Sequence, residues 1–188
     1  MGKSALLVVD MQKDFTDPEG LVFYPQNREL LPRIVEAVCR CRERGLIIIF
    51  TQHRYRRGKK DRNLNEMRPC CIEGSGGEEL DPMLPVDPER DYIVQKRRYS
   101  AFFGTDLDLI LRENGIENLI VVGTKTNCCI RATVTDAHSL GYSVIVPSDA
   151  VGTNSEVVNR VHLEDIRKYL GRVMPLEEVY KEMMEGKL

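Results

Sequence analysis

Four uninterrupted apolar runs constrain this chain more than any other feature: Ala5–Val9, Leu46–Phe50, Leu119–Val122 and Val144–Val146. Successive side chains of a strand point to opposite faces, so a strand apolar at every position needs cover on both. Such strands belong in a parallel sheet. Tyr92–Val94 and Val173–Met174 are weaker runs of the same kind. Helical periodicity fills the gaps. Leu30, Ile34, Val38 and Cys41 share one face of a helix that Gly45 stops. Leu107, Ile110 and Leu111 form a second stripe, with Thr105 and Asp108 spaced as a capping box and Gly115 closing it. Ile130, Val134 and Ala137 mark a third helix, Val157, Val161 and Ile166 a fourth, and Leu176–Met184 a last one. Strands alternating with helices predict right-handed βαβ units within one α/β domain spanning residues 1–188. Residues 54–80, rich in Arg, Gly and Asn, read as a long loop carrying a short helix.

Several function classes fall away. Lys and Arg number 27 against 29 Asp and Glu, a net charge of −2 that offers no footing for a nucleic-acid partner. No apolar run reaches the roughly 18–20 residues that cross a bilayer. Ala5–Val9 is too short for the core of a secretion signal, so a soluble cytoplasmic protein without membrane contact is expected. The six cysteines fall as Cys39/Cys41, Cys70/Cys71 and Cys128/Cys129, spacings too tight for zinc knuckles. No metal, disulfide or cofactor is expected, and five of the six cysteines read as small buried hydrophobes.

Ligands in parallel α/β sheets bind beyond the carboxyl ends of the strands. That rule selects Asp10, Thr51-Gln52-His53, Lys96, Thr124–Cys129 and Ser148-Asp149. Cys129 stands out, because a thiol where a strand gives way to a helix faces the positive end of the helix dipole, which lowers its pKa. Backbone N–H groups of the turn before it suit a developing oxyanion. Asp10 is placed to take the thiol proton and Lys96 to stabilise a thiolate.

Three blocks of sequence sharpen this. Asp10-Met11-Gln12-Lys13-Asp14-Phe15, the segment Lys96–Leu107 (KRRYSAFFGTDL), and Thr126–Thr133 (TNCCIRAT) with Asp136-Ala137 and Gly141-Tyr142 resemble, in order, the blocks of the isochorismatase-like cysteine hydrolases. The resemblance implies a doubly wound, six-stranded parallel sheet with helices on both faces. It also implies a triad of Asp10 as general acid/base, Lys96 as electrostatic partner and Cys129 as nucleophile. It implies an oxyanion hole from the backbone N–H groups of Lys125 and Cys129, a cis peptide near Thr124–Lys125, and a homodimer or homotetramer. The implied reaction is hydrolysis of a C–N bond of a small-molecule amide through a thioester.

Within the family, the Cys-Ile-Arg-Ala-Thr and Thr-Gln-His-Arg-Tyr-Arg runs look closest to N-carbamoylsarcosine and ureidoacrylate amidohydrolases, whose substrates pair a ureido carbonyl with a carboxylate. Arg54 and Arg131 are the candidates for gripping that carboxylate, with Arg98 and Arg68 behind them. Phe15, His53 and Tyr99 are expected to wall the pocket. A nicotinamidase is the alternative. Against it stand the missing Asp-x-His metal motif and a chain without Trp. A non-catalytic member with a redox-sensitive Cys129 is the third possibility. Lys125 and Cys128 replace residues that are usually apolar in the family.

Overall fold

The computed structural model describes residues 2–66 and 69–188, so Arg68 lies outside the described residues. Strands β1 (Lys3–Val9), β2 (Ile47–His53), β3 (Tyr92–Lys96), β4 (Ile116–Thr124), β5 (Ser143–Pro147) and β7 (Arg172–Met174) form a parallel sheet in the order β3-β2-β1-β4-β5-β7. The two-residue β6 (Val151–Gly152) pairs with β4 as well. All six runs expected to be strands are strands. Leu6 and Val8 of β1 face one apolar cluster while Ala5, Leu7 and Val9 face another. Both faces are therefore covered, as uninterrupted apolar strands require.

Helices α2 (Pro25–Glu43) and α7 (Leu176–Met184) cover one face, and α4 (Leu107–Glu113), α5 (Arg131–Ser139) and α6 (Glu156–Tyr169) the other. Two short helices, α1 (Lys13–Thr16) and α3 (Arg62–Glu66), sit in the loops. None of the helices among the described residues is long and apolar enough to cross a membrane.

One helical stripe, one cap and the cysteines depart from expectation. On α6 only Ile166 is buried, with Leu163 packed beside it, whereas Val157 and Val161 are more than half exposed. The covered face is rotated from the expected one, because α6 meets the sheet through its later turns. At α4, Asp108 does not close a capping box; its carboxylate accepts from Tyr142 and Arg112, and Thr105 Oγ1 accepts the Leu107 N–H. Of the five cysteines read as buried hydrophobes only Cys41 and Cys71 are buried, while Cys39 is exposed and Cys70 and Cys128 are half-buried.

Register positions the site. Val9 lies opposite Thr51 on one side and Gly123 on the other, so β1, β2 and β4 end together. His53 lies opposite Lys96, bringing the end of β3 into line. The winding reverses between β1 and β4, which opens a crevice there. Gly123 lets the strands close: its φ is +116°, and a Cβ there would fall 2.2 Å from the Val9 carbonyl oxygen.

Candidate active site

Asp10 follows β1 in a left-handed conformation, φ +53°, which costs a residue with a side chain about 1–3 kcal/mol and turns its carboxylate into the crevice. Thr51 at the end of β2 holds it there. The Asp10 N–H donates to Thr51 Oγ1 at 3.1 Å, and that hydroxyl donates to Asp10 Oδ1 at 2.6 Å. Asp10 Oδ2 faces the Lys96 ammonium at 2.7 Å, with both side chains wholly buried.

Lys96 organises everything around it. Besides Asp10, its Nζ donates to the Arg98 carbonyl at 3.1 Å and to Cys129 Sγ at 3.4 Å, and lies 3.3 Å from His53 Nδ1. Burial works against the charge on Lys96, but the Asp10 carboxylate and the Cys129 sulfur outweigh it and hold the pKa above the ordinary lysine value. One donor atom each from Asp10, His53 and Cys129 falls within 4.8 Å of the others, a set of types suited to a metal. The Lys96 ammonium contacts all three.

Cys129 lies in the turn between β4 and α5. That turn is π-helical, Thr126–Ile130, and is entered through a cis peptide at Thr124–Lys125. The thiol contradicts the expected depressed pKa. Burial pushes it well above the ordinary cysteine value, the Asp10 carboxylate pushes it further, and Lys96 only partly offsets them. A helix dipole lowers the pKa of a solvated thiol, whereas this sulfur is buried against an anion. Cys129 therefore rests as the thiol beside a carboxylate that can accept its proton.

His53 is buried, and desolvation together with the Lys96 charge lowers its pKa to about 4. It is neutral near pH 7. Since Lys96 donates to Nδ1, the ring proton belongs on Nε2, which is buried without a partner among the described residues. The His53 backbone is pinned by Gln12, which accepts the His53 N–H at 2.7 Å and donates to the His53 carbonyl at 2.8 Å. Asp14 accepts from the N–H groups of Cys71, at 2.6 Å, and Leu21. One block beginning at Asp10 thus supplies the carboxylate of the site and two anchors for the segments around it.

Above these groups opens a cavity of about 800 Å³, lined by Cys129 and by Phe15, Phe23, Tyr24, Tyr55, Tyr99 and His53, with Val22, Glu66, Pro69, Cys70, Lys125, Cys128 and Asn154. Its size suits a small molecule. Phe15, His53, Tyr99 and Lys125, named from sequence, all meet here. Arg131 does not: its guanidinium donates to Asp165 at 2.6 and 2.9 Å and to Thr135, clamping α5 to α6. Arg54 pairs with Glu73 at 3.1 Å and lines a neighbouring cavity. Sequence reasoning missed Tyr24, whose hydroxyl bonds the Thr124 hydroxyl, and Tyr55, whose ring lies 4.6 Å from that of His53. Tyr24 carries no local signal, and Tyr55 stands in the Thr-Gln-His-Arg-Tyr-Arg run without being singled out. Lys125 Nζ sits 5.7 Å from the Tyr24 ring centroid, within cation–π range.

Comparison with known proteins gives the family and the fold. Residues 4–178 match the model of the isochorismatase domain. A protein of Arabidopsis thaliana described as a probable inactive nicotinamidase is 31% identical, the match covering 96% of each chain. The crystal structure of an isochorismatase-like hydrolase from Alkaliphilus metalliredigens superposes with a TM-score of 0.89 at 31% identity, covering 95% of this chain and 98% of that one. N-carbamoylsarcosine amidase from Thermoplasma acidophilum gives a TM-score of 0.82 at 27% identity, covering 92% and 96%.

Proposed function

We infer that this chain, which belongs to the isochorismatase family, is a cysteine-dependent amidohydrolase that cleaves a small amide or ureido acid through a thioester. The observation that carries this reading is Cys129 Sγ and Asp10 Oδ2 gathered around one buried ammonium, at 3.4 and 2.7 Å, with Cys129 itself lining the aromatic cavity.

The resting thiol shapes the chemistry. As Cys129 Sγ bonds the substrate carbonyl carbon, its proton passes to Asp10, so a free buried thiolate never has to form. The oxyanion is received by the N–H groups of Lys125 and Cys129. Asp10 then gives its proton to the leaving nitrogen, the C–N bond breaks and a thioester remains. Asp10 next accepts a proton from water as the hydroxide adds to the thioester carbonyl; the acid departs, and Cys129 recovers its proton. Lys96 keeps its charge throughout and anchors the carboxylate in both half-reactions.

The walls bear on the substrate. Five aromatic side chains suit a flat or apolar acyl portion. Neither Arg54 nor Arg131 lines this cavity, and among the described residues Lys125 is the cationic side chain that does. A substrate carboxylate would therefore be met by Lys125, a point charge, in place of an arginine fork. The relative described as inactive does not decide the matter for this chain, in which Asp10, Lys96 and Cys129 are all present and in contact.

The test is ammonia release from N-carbamoylsarcosine, ureidoacrylate, nicotinamide and simple aromatic carboxamides, comparing the wild type with Cys129→Ala. Release that vanishes in Cys129→Ala, with an unchanged circular dichroism spectrum, is the expected result. Equal release from both proteins would remove Cys129 as the nucleophile. Release from nicotinamide alone would assign the nicotinamidase alternative.

A further inference from the structure

Beside the end of β3 lies a second concavity of about 510 Å³, different in chemistry. Its wall carries the cations Arg54, Arg56, Lys60, Arg62, Arg97 and Arg98 and only two acids, Asp61 and Glu73. Both acids are engaged: Asp61 pairs with Arg98 at 3.2 Å and Glu73 with Arg54 at 3.1 Å. Arg62 turns to Glu66 at 2.8 Å. Arg56, Lys60 and Arg97 have no ion pair among the described residues. Arg54 also keeps its Nε buried without a partner.

Like charges gathered on a concave wall repel one another, the more so where the wall excludes solvent. A cleft holding three uncompensated cations is therefore paired poorly by its own protein and well by an anion carrying more than one charge. We propose that this cavity binds a small multivalent anion of the phosphate or pyrophosphate class. Pyrophosphate concentrates its charge on two adjacent tetrahedral groups, each offering several oxygens to an arginine fork, whereas a polycarboxylate of equal charge spreads it over separate planar groups. A monocarboxylate would leave most of the charge unanswered. A nucleic acid would need an extended basic track, and the chain as a whole carries a net charge of −2.

Lys96 of the triad lines this cavity too, but its side chain is wholly buried, so the two sites share a strand end. The Lys96 carbonyl accepts the Arg54 N–H at 2.9 Å, while the Lys96 ammonium points to the other side, at Asp10. Occupancy is therefore testable without the hydrolase reaction.

The experiment is titration calorimetry with sodium pyrophosphate at a fixed ionic strength of about 0.15 M. Wild type, Cys129→Ala and the double variant Arg56→Ala/Arg97→Ala are compared, with citrate as a second probe. Arg56 and Arg97 are exposed and unpaired, so their loss leaves the fold alone. Wild type and Cys129→Ala are expected to bind pyrophosphate equally, and the double variant at least tenfold more weakly. Citrate is expected to bind more weakly than pyrophosphate. Absence of pyrophosphate binding to the wild type at millimolar concentration, or equal binding by the double variant, would overturn the proposal. Loss of binding in Cys129→Ala would place the anion in the aromatic cavity, and tighter binding of citrate would reject the phosphate class.

Discussion

Replacing Lys96 by Met keeps an unbranched side chain one atom shorter and removes the ammonium that the Asp10 carboxylate faces. With 2.7 Å between Nζ and Oδ2, the attraction is about 6 kcal/mol at an effective dielectric of about 20. Most of that is spent in taking both ions out of water. The variant forfeits the attraction and leaves a desolvated carboxylate behind, which typically costs about 3–5 kcal/mol. His53 Nδ1 and the Arg98 carbonyl also lose their donor. For a chain of this length about 1 kcal/mol shifts Tm by 2–4 °C, so a fall of about 6–20 °C is expected. The decisive comparison is the double variant Asp10→Asn/Lys96→Met, in which no buried charge is stranded. It should be more stable than Lys96→Met by about 2 kcal/mol or more, although it too lacks turnover. Urea unfolding of the wild type, both single variants and the double variant measures this coupling. Additive effects, or a Lys96→Met variant within about 1 kcal/mol of the wild type, would refute the claim that the ammonium compensates a buried carboxylate.

Other expectations follow from the same contacts. His53 has a folded pKa of about 4 against about 6.5 unfolded, so the unfolded chain binds the extra proton between those values. Its contribution is complete above pH 6.5 and declines as the pH falls toward 4, by about 3 kcal/mol in all; a His53→Gln variant should show a flatter stability profile across that window, and an identical profile would contradict the assignment. Thr51→Val removes the hydroxyl that donates to Asp10 Oδ1 and accepts its N–H, and should cost about 1–3 kcal/mol in urea unfolding together with a loss of kcat larger than any rise in KM. Arg131→Ala should leave turnover of carboxylate-bearing and neutral amides within about twofold of the wild type and lower stability by no more than about 1 kcal/mol, since its partner is the half-exposed Asp165; a selective loss toward carboxylate substrates would place Arg131 in the substrate site after all.

The apolar runs and their flanking residues carried most of the architecture in one dimension. A strand apolar at every position has no stable home except a sheet covered on both faces, so the parallel sheet was legible from Leu6, Ile48 or Val121 without any knowledge of partners. Asp10, Lys96 and Cys129 were legible for a related reason, because each ends or follows a strand and the ends of parallel strands lie at one edge. The proton on Cys129 was not. It depends on the loss of solvent around the sulfur and on the Asp10 carboxylate beside it, and both arise only when residues more than a hundred positions apart pack together. The arginines show the same limit. Arg54 and Arg131 have the right chemistry for a carboxylate, but which way a long side chain turns is decided by the nearest acid, and Glu73 and Asp165 come close only through the path of the loop and the packing of α5 on α6. Tyr24 and Tyr55 join the cavity, and Val157 and Val161 leave the core, through the same tertiary choices. Periodicity along the chain determines which elements form and where they end, whereas the protonation, orientation and neighbours of each side chain are set by contacts between segments distant in sequence.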